Sequence, residues 1–442
     1  MIYRIFTLVF LLLSTVSPEL YAQERLSLDE AINIGIRNHY GIEIARNSAQ
    51  IDSNNRTLGN AGFLPTLSAN ASRSERVEDS RFESEFAEGE NTGARSTITN
   101  AGATLNWTLF DGLLMFATYD KLGEFEELGR NELRLQMEMT VNQIIASYVN
   151  IIRLSDQLNV LEDAVEVSRE RVEIAETKLD LGSGSEYELL QARTDLNADR
   201  AAVLRERNLL MEARVNLNEL LAREVDIEFE VMSDIPLNRT LSYEALYPQL
   251  TEQNTDLMLA RTEQRIADLE IREIKAERFP EIELNSGYNF SRTEGGGGFL
   301  QFNESRGLNI GLTARINLFD GFDNSRRVQN AKINLKNRQL EVEQIQKRIS
   351  SNFLSTWRTY QNNLELVDLE QDNLSNAEET LDIALERFRL GTISAIEFRE
   401  AQRAFLAAEN RLITAKYGAK LAETTLLRLS GTLEHVAIHP LR

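Results

Sequence analysis

Cysteine is absent from the 442-residue chain, which excludes a disulfide framework, a thiolate metal site, a thiol nucleophile and lipidation on an N-terminal cysteine. Histidine is nearly absent: His39, His435 and His439 are scattered, and the i, i+4 pair at 435 and 439 runs into Pro440, where a frayed tail is expected. Positive charge is short. Lys and Arg number 48 against 69 Asp and Glu, a formal charge of −21, so no nucleic-acid partner is expected, since such a partner needs basic surface. Proline is limited to 6 residues and aromatics to 7%, which suits long helices better than a loop-rich sandwich. Long apolar runs are missing too. The stretch Ile5 to Leu13, behind Arg4, is far short of the ~20 residues of a membrane-spanning helix. With Leu20-Tyr21-Ala22 as a small-residue cleavage site, it reads as a signal peptide over 1–22. The mature chain is therefore expected to begin near Gln23, to be exported, and to contain no transmembrane helix.

Catalytic signatures are lacking as well. The chain has no His-Glu-x-x-His, no nucleophile-elbow serine and no phosphate-binding loop with its lysine. Gly295 to Gly298 is a run of four glycines without the lysine and helix start such a loop needs, so it reads as flexible. Gly182-Ser183-Gly184-Ser185 lies between two heptad rods, where a helical turn with glycine ending one helix and serine capping the next is expected. No enzymatic activity, cofactor or metal is predicted.

What the chain does contain is a duplication. Leu26-Ser27-Leu28-Asp29-Glu30-Ala31 is answered by Leu241-Ser242-Tyr243-Glu244-Ala245, and Phe63-Leu64-Pro65 by Arg278-Phe279-Pro280. Leu109-Phe110-Asp111-Gly112 is answered by Leu318-Phe319-Asp320-Gly321, and Leu181-Gly182-Ser183 by Leu390-Gly391-Thr392. Pro65, Asp111 and Gly112 in the first repeat, with Pro280, Asp320 and Gly321 in the second, mark helix–strand junctions. The resulting division is 23–224 for the first repeat, 225–240 for a linker containing Pro236, 241–431 for the second repeat, and 432–442 for a tail.

Each repeat is expected to hold one very long helix. Arg130 to Leu181 and Phe322 to Leu390 contain neither glycine nor proline. Apolar or small residues recur at steps of three and four: Ile151, Leu154, Leu158, Leu161, Val165, Ser168, Val172, Ala175 and Leu179. The segment after Gly391 continues likewise from Phe398 to Leu429, the seam of antiparallel knobs-into-holes packing. The corresponding seam after Gly182 is weaker, because Asp199 and Glu206 fall on it. A rod from Gly112 to Leu181 would be about 105 Å long. Only two shorter helices, Leu28 to Gly62 and Ser185 to Leu221, placed end to end would match it.

Between the short and long helices the period switches to two. Leu308, Ile310, Leu312, Ala314, Ile316 and Leu318 alternate with Asn309, Gly311, Thr313, Arg315 and Asn317. Strands are predicted at 63–75 and 98–110, and at 279–293 and 307–319, with the acidic stretch Glu75 to Arg95 as a polar loop. A soluble half-buried sheet shows the same alternation. A bilayer-crossing sheet needs ~9–11 residues per strand, which these provide. Two hairpins cannot close on themselves, so a membrane sheet of this kind requires further copies of the chain.

The twice-repeated order of these motifs resembles the TolC-like outer membrane efflux proteins over essentially the whole mature chain. The resemblance implies a mainly α fold with a membrane β-barrel portion. In it, long coiled-coil hairpins form a periplasmic tunnel, and four strands per chain close as a shared trimeric barrel of about twelve strands in the outer-membrane lipid. It implies a homotrimer that works with a periplasmic adaptor (membrane fusion) protein and an inner-membrane transporter, as the exit duct of a tripartite efflux or type I secretion system. The turns at Gly182 and Gly391 would be the tips where the adaptor docks, and Glu397 and Glu400 would supply acidic rings at the periplasmic entrance. The tyrosine and arginine that latch the entrance in the family are replaced by Phe388 and Ile393, which leaves Arg387 or Arg389 to substitute. The competing reading, a periplasmic coiled-coil envelope protein without channel activity, accounts for the heptads but not for the strands.

Overall fold

The structure, a computed structural model, describes residues 24–84, 87–232, 234–295 and 301–433. The signal peptide expected over 1–22, the glycine run beyond Gly295, and His435 and His439 lie outside the described residues. The chain is mainly helical and divides into two compact units, one of Met1–Ile44, Leu135–Asn254 and Arg348–Arg442, the other of Ala45–Arg134 and Thr255–Lys347. In chain order the helices are α1 (Leu28–Asn38), α2 (Tyr40–Asn55), α3 (Leu114–Asp180), α4 (Glu186–Leu220), α5 (Tyr243–Leu246), α6 (Gln249–Gln253), α7 (Thr255–Ala276), α8 (Asp323–Arg389) and α9 (Ala395–Leu429). The strands are β1 (Glu24–Leu26), β2 (Thr66–Ser84), β3 (Ala87–Asp111), β4 (Phe229–Val231), β5 (Glu281–Gly295) and β6 (Phe302–Arg315).

The duplication is preserved closely in the long helical hairpins. The long helices α3 and α8 each have 67 residues, and α4 and α9 each have 35. From the second strand of each repeat onward, equivalent residues stand 209 positions apart, as Gly112 and Gly321 or Gly182 and Gly391 do. Up to the first strand the spacing is 215, as for the N-caps Ser27 and Ser242 and for Pro65 and Pro280. The difference is taken up at the strand hairpin, where the first repeat is the longer.

In the first unit, Val165, Val172 and Ala175 of α3 bury against Leu189, Ala192, Leu196 and Val203 of α4. This is the predicted seam, and its apolar residues, interrupted by the buried Ser168 and Glu206, supply stability that two exposed helices of this length would lack. The second hairpin packs in the same way, with Leu381, Ala384 and Phe388 of α8 against Phe398 of α9, and Val167 and Ile174 of α3 join that cluster. The linker 225–240 holds one element that was not predicted. Its residues Phe229–Val231 pair in parallel with Glu24–Leu26. Tyr148 ties this pair to α3: its hydroxyl donates to Leu26 O (2.8 Å) and accepts from Met232 N (3.1 Å).

The helix expected from Leu28 to Gly62 is broken at His39 and ends at Asn55. His39 is extended (φ −61°, ψ 121°), and its Nδ1 accepts from Gly41 N at 3.1 Å. The second repeat breaks at the equivalent Asn254 (φ −66°, ψ 121°), whose side chain donates to Leu429 O at 2.9 Å.

In the second unit the four strands form one antiparallel sheet of order β2-β3-β5-β6. The register within each hairpin is the same after the repeat shift: Thr66 faces Asn106, and Glu281 faces Arg315. The first hairpin is longer than the predicted 63–75 and 98–110. Pairing runs on through Ser84 and Ala87, with one bulge between Glu78 and Ser80. The polar residues expected to form a loop pair through their backbones, which requires no apolar side chain and is interrupted by no proline. In the second hairpin β6 stops at Arg315, short of the predicted 319. Leu308, Ile310 and Leu312 share one strongly exposed apolar face. Among the described residues no helix is long and apolar enough to cross a membrane.

Candidate functional site

The two helical turns in the first unit are built alike. Gly182 takes φ +73° and Gly391 φ +71°, in the left-handed region that ends a helix without a Cβ clash. Gly182 N donates to Leu179 O (2.9 Å) and Ser183 N to Lys178 O (2.9 Å), while Gly391 N donates to Phe388 O (3.0 Å) and Thr392 N to Arg387 O (2.9 Å). These paired bonds close the last helical turn. Ser185 then caps α4 by accepting from Glu188 N, and Ser394 caps α9 by accepting from Glu397 N. Around both glycines there is open space.

Glu397 and Glu400 are both exposed on the first turns of α9. Glu397 is committed to a capping box, for its Oε2 accepts from Ser394 N at 2.7 Å. That bond, with the Ser394 hydroxyl, holds its carboxyl below the usual carboxylate range, so it stays ionised. Phe398 between them is fully buried and stacks on Phe388 with centroids 5.2 Å apart.

Where Phe388 and Ile393 stand, packing replaces polar bonding. Ile393 joins the apolar cluster around Phe388 and Phe398. Lys178 Nζ sits 4.3 Å from the Phe388 ring centroid and donates to Phe388 O at 3.0 Å, which ties the two hairpins together. Of the two candidate arginines, Arg389 makes the polar link: it pairs with Glu170 of α3, Nε to Oε1 at 2.7 Å, and with Glu386.

Deeper in the seam lies a polar layer that sequence reading missed. Arg399 of α9 donates from both terminal nitrogens to Asp199 of α4, and Ser168 donates to the same carboxylate at 2.6 Å. Gln402 adds bonds to Ala164 O (3.1 Å) and Ser168 Oγ (3.2 Å). Nearby, the buried Arg171 pairs with Asp195 at 2.7 Å. The available signal was Asp199 itself, an acid on an apolar stripe, but its partner lies in the other hairpin.

The strand–helix junctions belong to the second unit. Asp111 and Asp320 act identically: Met115 N donates to Asp111 Oδ2, and Asn324 N to Asp320 Oδ2, both at 2.8 Å. Each is followed by two left-handed residues, Gly112-Leu113 and Gly321-Phe322. Their surroundings differ. A Cβ on Gly112 would meet Ala276 O at 2.3 Å and Phe279 Cβ at 2.7 Å, whereas nothing described lies within 4 Å of that point at Gly321. Pro65 and Pro280 stand directly before β2 and β5, where no ladder donor is required.

Twinned helical hairpins in one unit and, in the other, a four-stranded antiparallel sheet with an exposed apolar face and helix–strand junctions of one design are the features that mark the chain's class. The chain belongs to the family described as outer membrane efflux protein, whose model matches residues 42–223 and 246–432. Outer membrane efflux protein BepC of Brucella suis is 21% identical over 345 residues, spanning 77% of this chain and 74% of its own length. Outer membrane protein TolC of Escherichia coli is 20% identical, over 77% of this chain and 71% of its own. Among solved structures, the CmeC outer membrane channel of Campylobacter jejuni superposes with a TM-score of 0.76 at 16% identity, covering 92% of this chain and 86% of its own. The protein is an efflux channel of the outer membrane, and these relatives are efflux and channel proteins rather than enzymes.

Proposed function

We propose that the chain works as a homotrimeric exit duct of a tripartite efflux or type I secretion assembly. Three copies join their strands into one barrel of about twelve in the outer-membrane lipid, and their helices enclose a periplasmic tunnel. A periplasmic adaptor docks at the turns around Gly182 and Gly391, and an inner-membrane transporter supplies the cargo. The observation that carries this reading is the match between hairpins: two long helices of 67 residues, each returning through 35, end in turns of the same construction. Equal legs let six hairpin ends in a trimer stand at one level and meet a ring of adaptor hairpins.

The same reading assigns Glu397 and Glu400 to acidic rings at the entrance. A trimer would gather about six carboxylates there, and like charges so close together bind cations. Arg389 with Glu170 takes the place of the missing latch. The test is single-channel conductance in planar bilayers with multivalent cations added on the helical side. Block is expected for the native protein and its loss for Glu397→Gln/Glu400→Gln, which keeps the capping box because glutamine serves at that position. Conductance with equal block in both proteins would remove these residues from the entrance, and absence of conductance would favour the envelope coiled coil.

A further inference from the structure

The apolar face of the sheet ends in cations, and it does so at one end only. Residues paired across the strands share a face, so rows can be followed from edge to edge. Ala69, Ala103, Tyr288 and Leu308 form one row, and Ala71, Ala101, Phe290 and Arg306 form the next. One row further from the helix–strand junctions come Arg73, Thr99, Arg292 and Glu304. Toward the junctions the same face carries Ile282, Leu284, Trp107, Leu312 and Ala314, none of them charged.

The height of the cations matches a lipid boundary. From Ile282 to Arg292, β5 climbs about 33 Å along its own axis, which is roughly 25 Å of height at the tilt of about 40° usual in membrane barrels. The apolar band of such a barrel is about 25 Å tall, so the row of Arg73 and Arg292 falls where acyl chains give way to headgroups. Charge there is uneven. In the two outermost of these rows three arginines meet one glutamate, and Glu75 and Glu294 stand one row further out. Arg306 gives Glu304 one bond at 2.6 Å and Arg292 pairs with Glu294, which leaves most of the donors of each guanidinium unspent. Arg73 has no ion-pair partner among the described residues. Aromatic rings support the other two: Arg306 lies 5.4 Å from the Phe290 centroid and Arg292 5.1 Å from that of Phe302. An apolar stem resting on a ring with its charged head in a wetter layer is how arginine sits at a membrane surface.

We propose that Arg73, Arg292 and Arg306 form a seat for the phosphate of a phosphorylated lipid in the outer leaflet, whose acyl chains lie on the apolar rows below. Guanidinium forks match phosphate oxygens two at a time. The chains cover Tyr288, Leu308 and Ile310, all strongly exposed in the single chain. A free anion would engage the arginines alone. Cations continuous with an apolar face select a molecule that has both parts. The inference rests on the channel reading, which sets the sheet in the outer membrane with its hairpin ends outward, and deepens it by naming the lipid chemistry that the barrel takes.

The test uses full-length protein in a nonionic detergent, with bisphosphorylated lipid A as the probe and its enzymatically dephosphorylated form as the control, binding being read by native mass spectrometry. The native protein should bind the phosphorylated form about tenfold more tightly, a preference that shrinks as salt is raised. Arg73→Gln/Arg292→Gln/Arg306→Gln should bind both forms alike. The corresponding triple lysine variant should keep part of the preference, since an ammonium attracts phosphate without the fork. Inorganic phosphate at the lipid's concentration should displace none of it. The comparison of the two lipids on native protein requires no variant to fold, and planar-bilayer conductance is recorded on the same preparations. Conducting native protein that binds both forms alike, or a conducting glutamine variant that keeps the preference, overturns the seat while the channel stands. Full displacement by inorganic phosphate overturns a lipid as the occupant. Native protein that fails to conduct overturns the channel reading and with it the placement of the seat.

Discussion

Arg399 grips Asp199 with both ends of its guanidinium, Nη1 to Oδ2 and Nη2 to Oδ1, each at 2.8 Å, across from α9 to α4. Both side chains are only 13% exposed, so the pair is sealed inside the helix seam and its two members depend on each other. Asp199→Ala should strand a buried cation and cost about 3 kcal/mol. Replacing both with leucine should recover most of that loss, because a well-packed apolar pair of similar volume is about as stable as a buried ion pair. Thermal loss of helical ellipticity in detergent for Asp199→Leu, Arg399→Leu and the double-leucine variant decides between these outcomes, and an additive double variant would refute the pairing.

Acid should weaken the other unit at Glu126. Arg56 donates to it at 2.8 Å, Arg130 adds a second bond and Ser53 a third, and these hold its pKa down at about 2. A carboxylate depressed in the fold binds its proton more readily when unfolded, so its stabilisation is complete above pH 4.5 and drains away between about 4.5 and 2. Melting temperature measured across that interval should fall in the native protein and fall less steeply in Glu126→Gln.

The two faces of β6 should tolerate charge differently. Leu312 lies on the exposed apolar face, Thr313 on the polar one. Leu312→Arg should hinder membrane insertion by about 2–4 kcal/mol, whereas Thr313→Arg should be mild. Comparable yields of both in the outer-membrane fraction would overturn the face assignment.

Gly391 should matter for coupling rather than for insertion. Its φ of +71° costs a residue with a Cβ about 1–2 kcal/mol, and valine is poorly suited to it. Gly391→Val should abolish export while barrel insertion stays normal, and Gly391→Asn should retain export because asparagine visits this region readily. Substrate accumulation in cells alongside membrane-fraction yield separates the two effects.

Repeats, glycine turns and rods were legible because each leaves a local mark: a gap free of glycine and proline, a three–four apolar period, an alternation of two. The strand pairing between Glu75 and Arg95 left none, since backbone ladders form as well under polar side chains. The pair Glu24–Leu26 and Phe229–Val231 is too short for any period and joins segments at opposite ends of the first repeat. At the breaks, His39 accepts from Gly41 N and Asn254 donates to Leu429 O, contacts that no apolar period reveals. In the candidate site, Asp199 was visible as an oddity, but nothing in the local sequence could point to Arg399, two hundred positions away. Glu397 was legible as an acid near a turn, and its serine partner three residues earlier marks it equally as a cap.

The lengths of the four hairpin legs, 67 and 35 residues in each repeat, also govern how such a molecule can change over generations. A heptad lost from α3 alone would set the residues of α4 one heptad along from their present partners and leave the first turn short of its twin. Only a matched loss from facing legs, made in both repeats, keeps the seam in step and the two turns level. Reach is thus inherited as linked quantities that drift together or not at all, while the strand hairpins, which differ in length within this one chain, are free to grow singly.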